Sequence, residues 1–246
     1  MKCVKFWFHS SFNELLSTER KGGEFIYQFN GEPSIKHLVE AVRIPHTEIG
    51  KIFVNGQEVN LSYLAQDGDK ISVYALISNR QYHEQDSDKF NYNDARFILD
   101  NHLGKLTTYL RMLGFDSRYC NDFQDEELAE IAGNEGRVLL TRDRGLLMRR
   151  SIEYGYLLRS MDARKQVTEV LQQYELFNQI RPFERCLRCN GHLQHIEKGT
   201  ILDRLEPLTK KYYNEFCICQ DCNRIYWKGS HYERMQEFIS HLKHQN

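Results

Sequence analysis

The first part of the chain alternates between apolar and polar residues, which is the pattern of half-buried β-strands. Residues 3–8 alternate in this way, and Phe25, Tyr27 and Phe29 predict a second strand that pairs with the first. Residues 34–42 have helical spacing after a serine N-cap, and further strands are predicted at residues 52–54 and 70–74. This order of strand, strand, helix, strand and strand predicts a small α+β domain over residues 1–78.

From Ala95 onward, short apolar runs alternate with helical patterns. Strands are predicted at residues 97–99, 115–120, 138–140 and 156–158, and helices at 102–113, from Asp125, from Gly145 and after Asp162. Asp125 and Asp162 are predicted to be the N-caps of their helices. Alternating strands and helices favour right-handed βαβ units, so residues 94–180 are expected to form an α/β domain with a parallel sheet and helices on both faces. Residues 79–93 are polar and charged, with little to bury, and are interpreted as a linker.

Two aspartates directly follow predicted strands of this sheet. Asp100 follows the run Phe97-Ile98-Leu99, and Asp143 follows Val138-Leu139-Leu140 and the pair Thr141-Arg142. Ligands collect at the carboxyl ends of parallel strands, and carboxylates that converge there are relieved of their repulsion by a divalent cation. The alternative is that both aspartates are ordinary helix N-caps.

The tail, residues 181–246, contains two matching Cys-x-x-Cys segments, each followed by asparagine. Four thiolates at Cys186, Cys189, Cys219 and Cys222 suit a tetrahedral, structural zinc ion, because no coordination position is left open. Cys217 is a competitor for Cys219, but it lacks the knuckle spacing. The segment between the two pairs is long enough to hold extra strands or a hairpin.

Cations and aromatic residues are interleaved around these cysteines, among them Arg188, Arg224, Trp227 and Lys228. Such a combination can contact phosphates and stack on unpaired bases, or it can be an ordinary solvated surface. Residues 81–180 carry a net charge of −4 and residues 181–246 carry +3, which suits a metal site beside a surface that binds a polyanion.

Composition narrows the class of protein. An apolar share of 41% and a charged share of 27% are typical of globular structure. No apolar run approaches the roughly 18 residues that span a bilayer, and the first residues do not have the layout of a signal peptide. We therefore expect a cytoplasmic location and no membrane partner.

Several motifs together resemble a known family. They are Asp100 at the end of a strand, residues 110–116 (Leu-Arg-Met-Leu-Gly-Phe-Asp), 125–128 (Asp-Glu-Glu-Leu), 137–143 (Arg-Val-Leu-Leu-Thr-Arg-Asp), the two cysteine knuckles and the segment 226–232 around Tyr226-Trp227. The chain resembles the PIN-like RNase domain at the C-terminus of the mutator-seven exonuclease. Residues 1–78 resemble a ubiquitin-like β-grasp domain of the sulfur-carrier type, without the Gly-Gly end that sulfur carriers activate.

The resemblance implies a PIN-like sheet followed by a zinc ribbon, and a ribonuclease that uses Mg²⁺ or Mn²⁺. By motif, Asp100, Asp125 and Asp143 correspond to the metal-binding acids, and Asp122 or Glu126 can replace Asp125. A further acid near the fourth strand has no match except Asp162. Arg142 or Arg144 is expected to neutralise the phosphate. The β-grasp domain is expected to serve as a docking or packing module, with a protein partner as one option. The alternative function is that of a non-catalytic RNA-binding or scaffold protein.

Overall fold

The computed structural model describes residues 1–76 and 95–243, so the predicted linker at 79–93 lies outside the described residues. These residues fall into two compact units. The first unit contains residues 1–76 and 124–158, and the second contains residues 95–123 and 159–243. The division does not follow the predicted domain boundaries, which stay a prediction. None of the described helices is long and apolar enough to cross a membrane.

The first unit contains a five-stranded sheet with the strand order β2-β1-β5-β3-β4. Its strands are β1 (Lys2–Phe8), β2 (Phe25–Phe29), β3 (Ile49–Val54), β4 (Gln57–Val59) and β5 (Lys70–Ala75), with helix α1 (Ile35–Ala41) between β2 and β3. The central strands β1 and β5 are parallel, and the other pairs are antiparallel. The short strand β4 was not predicted, because three residues next to a turn carry little alternation.

Alternation along β1 and β5 separates the two faces of this sheet. Val4, Phe6 and Phe8 are buried on one face together with Ile71 and Val73, and α1 adds its own buried residues, Ile35, Leu38 and Val39. Ser34 caps α1 as predicted, because its hydroxyl accepts from the His37 backbone N–H at 3.4 Å. The opposite face of the sheet therefore consists of the alternate residues.

The first unit also contains a parallel strand pair with its helices. The elements are α3 (Asp125–Glu135), β8 (Val138–Thr141), α4 (Arg144–Leu147) and β9 (Gly155–Leu157), and β8 pairs with β9 in parallel. All four residues of β8 are buried, as expected for a central strand that is covered on both faces.

The second unit begins with another parallel pair, β6 (Phe97–Leu99) and β7 (Ser117–Arg118), joined by α2 (Gly104–Met112). The predicted helix at 102–113 begins as a 3-10 turn at Asn101–Leu103, and the predicted strand at 115–120 shortens to two residues. Helix α5 (Ala163–Gln173) is capped by Asp162, whose carboxylate accepts from the backbone N–H groups of Arg164 and Lys165 at 3.0 Å each. The prediction of this cap is confirmed.

The tail folds into a three-stranded antiparallel sheet with added helices. Its strands, in the order β10-β11-β12, are β10 (Leu193–Ile196), β11 (Phe216–Cys219) and β12 (Ile225–Trp227), and α6 (Pro207–Tyr212) lies between β10 and β11. The final helix, α7 (Ser230–Lys243), was not predicted. Its buried residues Phe238, Ile239 and Leu242 have the spacing of one helical face, so the sequence did contain a signal for it.

Candidate functional site

The four predicted zinc ligands come together in the second unit. The ligand atoms of Cys186, Cys189, Cys219 and Cys222 all lie within 4.8 Å of one another. The Cys186 and Cys222 sulfurs are 3.6 Å apart, and those of Cys189 and Cys219 are 3.3 Å apart. Tetrahedral Zn–S bonds of about 2.3 Å place sulfurs about 3.8 Å apart, so this donor set fits a zinc ion. Cys217 lies outside this group, so it does not compete with Cys219 as a ligand.

Each knuckle is closed by the asparagine that follows its second cysteine. Asn190 and Asn223 have φ angles of 77° and 57°, in the left-handed region that asparagine tolerates better than most residues. Their backbone N–H groups donate to the carbonyls of Cys186 and Cys219, each at 3.0 Å. The two Cys-x-x-Cys-Asn segments are therefore alike in structure as well as in sequence.

The thiols of this group differ in pKa. Burial alone would raise the pKa of Cys186, but hydrogen bonds from the Tyr226 hydroxyl, 3.1 Å away, and from nearby backbone N–H groups lower it to about 6. Burial raises the pKa of Cys189 to about 12, with further contributions from the neighbouring thiols. Burial and the uneven distribution of hydrogen-bond donors therefore separate the pKa values of the two thiols.

The first knuckle is attached to the end of α2 and to β7 by buried polar contacts. Arg111 is 4% exposed, and its Nε donates to the Ser117 carbonyl at 2.9 Å. Its Nη1 donates to the carbonyls of Leu187 and Arg188 at 3.3 and 2.8 Å. Leu187 and Arg188 lie between the two cysteines of the knuckle. Arg111 therefore fixes the knuckle in place from outside it.

Asn190 adds a second attachment. Its side-chain nitrogen donates to the Asp116 carboxylate at 2.8 Å, and its side-chain oxygen accepts from the Ser117 backbone N–H at 2.9 Å.

A Cβ at Gly114 would collide with the Arg181 carbonyl, and Gly114 has a φ of 97°, so glycine is required for this close approach. The segment 110–116, which carries part of the family resemblance, thus has a structural role at the ribbon.

Asp100 lies at the carboxyl end of β6, as predicted. It occupies the N-cap position of the 3-10 turn, but its side chain makes no capping hydrogen bond. The next side chain, Asn101, has a buried Oδ1 atom with no hydrogen-bond partner among the residues that the structure describes. The Asn101 carbonyl accepts from the Tyr119 hydroxyl at 2.7 Å, and that hydroxyl also contacts Asn121 Oδ1 at 2.6 Å. A buried amide oxygen without a protein partner is suited to accept an ion or a water molecule.

Asp143 lies at the carboxyl end of β8, also as predicted. It is exposed, and it is the N-cap of α4, because its Oδ1 accepts from the Gly145 backbone N–H at 2.7 Å. Its own N–H donates to Thr141 Oγ1 at 2.9 Å. The capping alternative therefore holds for Asp143, whereas the Asp100 side chain does not cap. Arg142, between Thr141 and Asp143, is exposed.

Asp125 is not the N-cap of α3, which corrects that part of the prediction. The cap is Gln124, and the Glu127 carboxylate accepts from the Gln124 backbone N–H at 2.9 Å in a capping box. Asp125 is the first helical residue, and Arg149 contacts both Asp125 at 3.5 Å and Glu126 at 2.9 Å. The pKa of Glu126 is lowered, first by its own backbone N–H and then by Arg149. Asp122, the other candidate, is exposed.

Comparison with known proteins assigns the chain to a family. The model of the Mut7-C RNAse domain matches residues 95–239. The chain belongs to the Mut7-C RNAse domain family. A second family model, described as Mut7-C ubiquitin, matches residues 1–81. The recognition made from sequence motifs is confirmed, and so is the fold class of a β-grasp domain, a parallel sheet with helices and a cysteine cluster.

Two solved structures resemble part of the Mut7-C chain. One is subunit 1 of a molybdopterin converting factor, as its description reads, from Pyrococcus furiosus, with 18% identity over 30% of this chain and 98% of that one and a TM-score of 0.25. The other is SAMP1 from Haloferax volcanii, with 14% identity over 31% and 98% and a TM-score of 0.25. No curated protein matches the chain. The assignment of the ubiquitin-like domain therefore rests on its family model.

The Mut7-C ubiquitin domain makes buried polar contacts with the RNAse segment of the first unit. His46 is 7% exposed, and its Nε2 donates to the Ile152 carbonyl at 2.7 Å. Glu48, also 7% exposed, accepts from the Leu157 backbone N–H of β9 at 2.8 Å. Packing is thus one role of this domain.

Arg144 takes part in the same contact. Its Nη1 donates to the Leu15 carbonyl at 2.9 Å, and its Nη2 donates to the Glu14 carbonyl at 3.4 Å. Arg144 was one of two candidates for phosphate neutralisation. Because its guanidinium is engaged with the ubiquitin-like domain, Arg142 is the better candidate.

The predicted RNA-binding residues lie on the ribbon surface. Arg188 and Arg224 are exposed, and Trp227 is 42% exposed at the end of β12. Lys228 is also exposed, but its ammonium contacts the Glu215 carboxylate at 2.6 Å. An exposed ion pair contributes little, so a phosphate can replace the carboxylate at small cost.

Proposed function

We propose that this chain is a divalent-metal-dependent ribonuclease that hydrolyses RNA phosphodiester bonds. The proposal is supported first by the Mut7-C RNAse domain match over residues 95–239. It is supported next by the end of β6, where Asp100 is followed by Asn101, whose buried side-chain oxygen has no hydrogen-bond partner among the described residues. The family match carries the proposal, and the carboxylate and amide oxygens after β6 agree with it, because they are the ligands that Mg²⁺ and Mn²⁺ prefer.

The residues proposed to bind a divalent ion are Asp100 in the second unit, with Asn101 as an added oxygen donor, and Asp125 and Asp143 in the first unit. When bound, a divalent ion supplies an activated water and neutralises charge on the phosphate. Asp100 directly follows β6 and does not cap the 3-10 turn. Asp125 would share its charge between the ion and Arg149. Asp143 caps α4 with Oδ1, which leaves Oδ2 for other contacts.

Positioning of the RNA is assigned to the cations of the chain. Arg142 is exposed beside Asp143, so its guanidinium can pair with a phosphate bidentately. Arg188, Arg224 and Lys228 bind further phosphates on the ribbon, and Trp227 stacks on an unpaired base. The zinc ion has a structural role, because its four thiolates leave no position open for chemistry.

The experiment compares purified Asp→Asn variants of the full chain in RNA cleavage with Mn²⁺ or Mg²⁺. Asp100→Asn and Asp143→Asn should abolish cleavage, and Asp125→Asn should reduce it less completely, because Asp122 and Glu126 are close by. Asp203→Asn is the matched control, since Asp203 is exposed in the tail and is not among the candidate acids. Full activity in Asp143→Asn would refute the assignment.

A second candidate function is non-catalytic RNA binding, in which the β-grasp domain also recruits a protein. The observation that favours it is the hydrogen bond from Gly145 to Asp143, because this aspartate already has a structural role as a cap. Wild-type protein that binds RNA but does not cleave it with any divalent metal would support this candidate over the first.

A further inference from the structure

The open face of the β-grasp sheet carries a regular array of aromatic and cationic side chains. The strand register aligns Lys5 with Lys70 and Trp7 with Ser72 across β1 and β5. Across β5 and β3, Ser72 is aligned with Phe53, and Tyr74 with Lys51. The face opposite the buried core therefore presents lysine at three positions of these strands and an aromatic ring at three more.

The three aromatic rings form one cluster. The centroid of Tyr74 is 5.3 Å from that of Trp7 and 5.6 Å from that of Phe53. His9 extends the cluster, with its ring 6.2 Å from Tyr74. Tyr74 is 39% exposed, and Trp7, His9 and Phe53 are partly exposed. The cluster is thus accessible at the surface, which is unusual for so many large rings together.

The charges on this face are of one sign along its three central strands. Lys5, Lys51 and Lys70 surround the rings, and the outward positions of β1, β3 and β5 from residue 5 to 9, 51 to 53 and 70 to 74 hold no carboxylate. Glu24 pairs with Lys5 at 3.2 Å and Glu58 with Lys51 at 3.5 Å, both from the edges of the sheet. The Lys5 pair is exposed, and in the Lys51 pair the carboxylate is exposed while the lysine is 24% exposed, so a phosphate can replace either carboxylate at small cost.

We infer that this face, formed by Lys5, Trp7, Lys51, Phe53, Lys70 and Tyr74, is a binding platform for single-stranded RNA. The rings are inclined to one another, at 58° for Trp7 and Tyr74 and 82° for Phe53 and Tyr74, so each offers its own exposed surface for stacking on an unpaired base. The lysines contact the phosphates between such bases. Charge complementarity selects a polyanion over an apolar protein surface. The inference deepens the proposed function, because it assigns the β-grasp domain to holding the substrate of the same ribonuclease.

The test uses the fact that the chain has only two tryptophans, Trp7 and Trp227. In the full-length Trp227→Phe variant, fluorescence reports on Trp7 alone. Titration with oligouridylate, without divalent metal, should quench this signal to saturation as bases stack on the platform. Trp7→Phe is the matched variant and reports on the ribbon. Circular dichroism checks that both variants are folded.

Substitutions on the platform should weaken binding as measured by fluorescence anisotropy. Tyr74→Ala removes one stacking surface and should lower affinity roughly 5- to 150-fold. Replacing Lys5, Lys51 and Lys70 together by Gln should reduce the log–log salt slope by about 0.7 for each phosphate that is no longer neutralised. Lys21→Gln, at an exposed residue outside these strands, should change neither. If Tyr74→Ala does not fold, the lysine variants still test the platform through the salt slope.

Different results would contradict this inference and the proposed function. Unquenched Trp7 in a folded protein, with or without binding elsewhere, would overturn the platform and leave the face to a protein partner. Absence of Mn²⁺-dependent cleavage by wild type would overturn the ribonuclease while leaving the quenching of Trp7 intact.

Discussion

Arg111 provides a sharp test of how the RNAse fold supports its zinc knuckle. The Arg111→Lys substitution keeps the positive charge but replaces a planar fork by a single ammonium. The guanidinium donates to three carbonyls, those of Ser117, Leu187 and Arg188, and only one or two of these are within reach of a single ammonium. We therefore expect zinc binding and stability to fall together.

The magnitude follows from the hydrogen bonds that are removed. A hydrogen bond to a charged group contributes about 1.5–3 kcal/mol, so Arg111→Lys should lower the free energy of unfolding by about that amount for each of the one or two bonds that it loses. Arg111→Met removes all three and leaves the carbonyl of the fully buried Ser117 unpaired, so we expect a loss of about 3 kcal/mol or more. Zinc affinity should fall about 10- to 100-fold, the usual effect of removing an outer contact of a metal site.

Competition with a chromophoric chelator measures the zinc affinity, and thermal unfolding with saturating zinc measures stability. Arg188→Lys is the control, because its exposed side chain leaves the knuckle backbone unchanged. If Arg111→Met bound zinc as tightly as wild type and melted at the same temperature, the attachment of the knuckle through Arg111 would be refuted.

Three further predictions concern single residues. Cys219→Ser should lose zinc in metal analysis while Cys217→Ser keeps it, because only Cys219 is in the sulfur group; the reverse result would contradict the ligand set. Asp143→Ala should lower the free energy of unfolding by about 0.5–2 kcal/mol in thermal or denaturant unfolding, and Asp143→Asn should lower it much less, since Asn caps almost as well. Equal losses in the two variants would exclude the capping role. Glu48→Ala should lower the free energy of unfolding by about 1–3 kcal/mol, because it removes the acceptor of the buried Leu157 N–H. Unchanged stability would show that the contact contributes nothing.

Local spacing accounts for most of what was predictable. The knuckle ligands could be named because Cys-x-x-Cys sets two thiols side by side within one turn, and the repeated asparagine gives both turns the same shape. The Asp162 cap and most helices and strands followed from periodicity and short-range hydrogen bonds in the same way. The positions of Asp100 and Asp143 after strands were equally local, because a buried run ends where a polar residue begins.

Properties that depend on distant partners could not be predicted. Asp125 was predicted to be the N-cap of α3, but the N-cap is Gln124. Gln124 and Glu127 form a capping box that satisfies the backbone N–H groups at the start of the helix. Asp100 and Asp143 looked alike, yet only Asp143 makes a capping bond. Side-chain hydrogen bonds of this kind depend on rotamers that the residue types leave open.

The sequence by itself determined the four cysteines that come together, the strands and helices with strong periodicity, and the family. Only the tertiary structure showed that Arg111 holds the knuckle, that Glu48 supports β9 and that Trp7, Phe53 and Tyr74 meet on one sheet face. Arg111 is separated from Arg188 by 77 residues and Glu48 from Leu157 by 109. Periodicity indicates which face of an element is buried. Strand register and burial bring together residues that are far apart in the chain, and no short segment of sequence encodes that register or that burial.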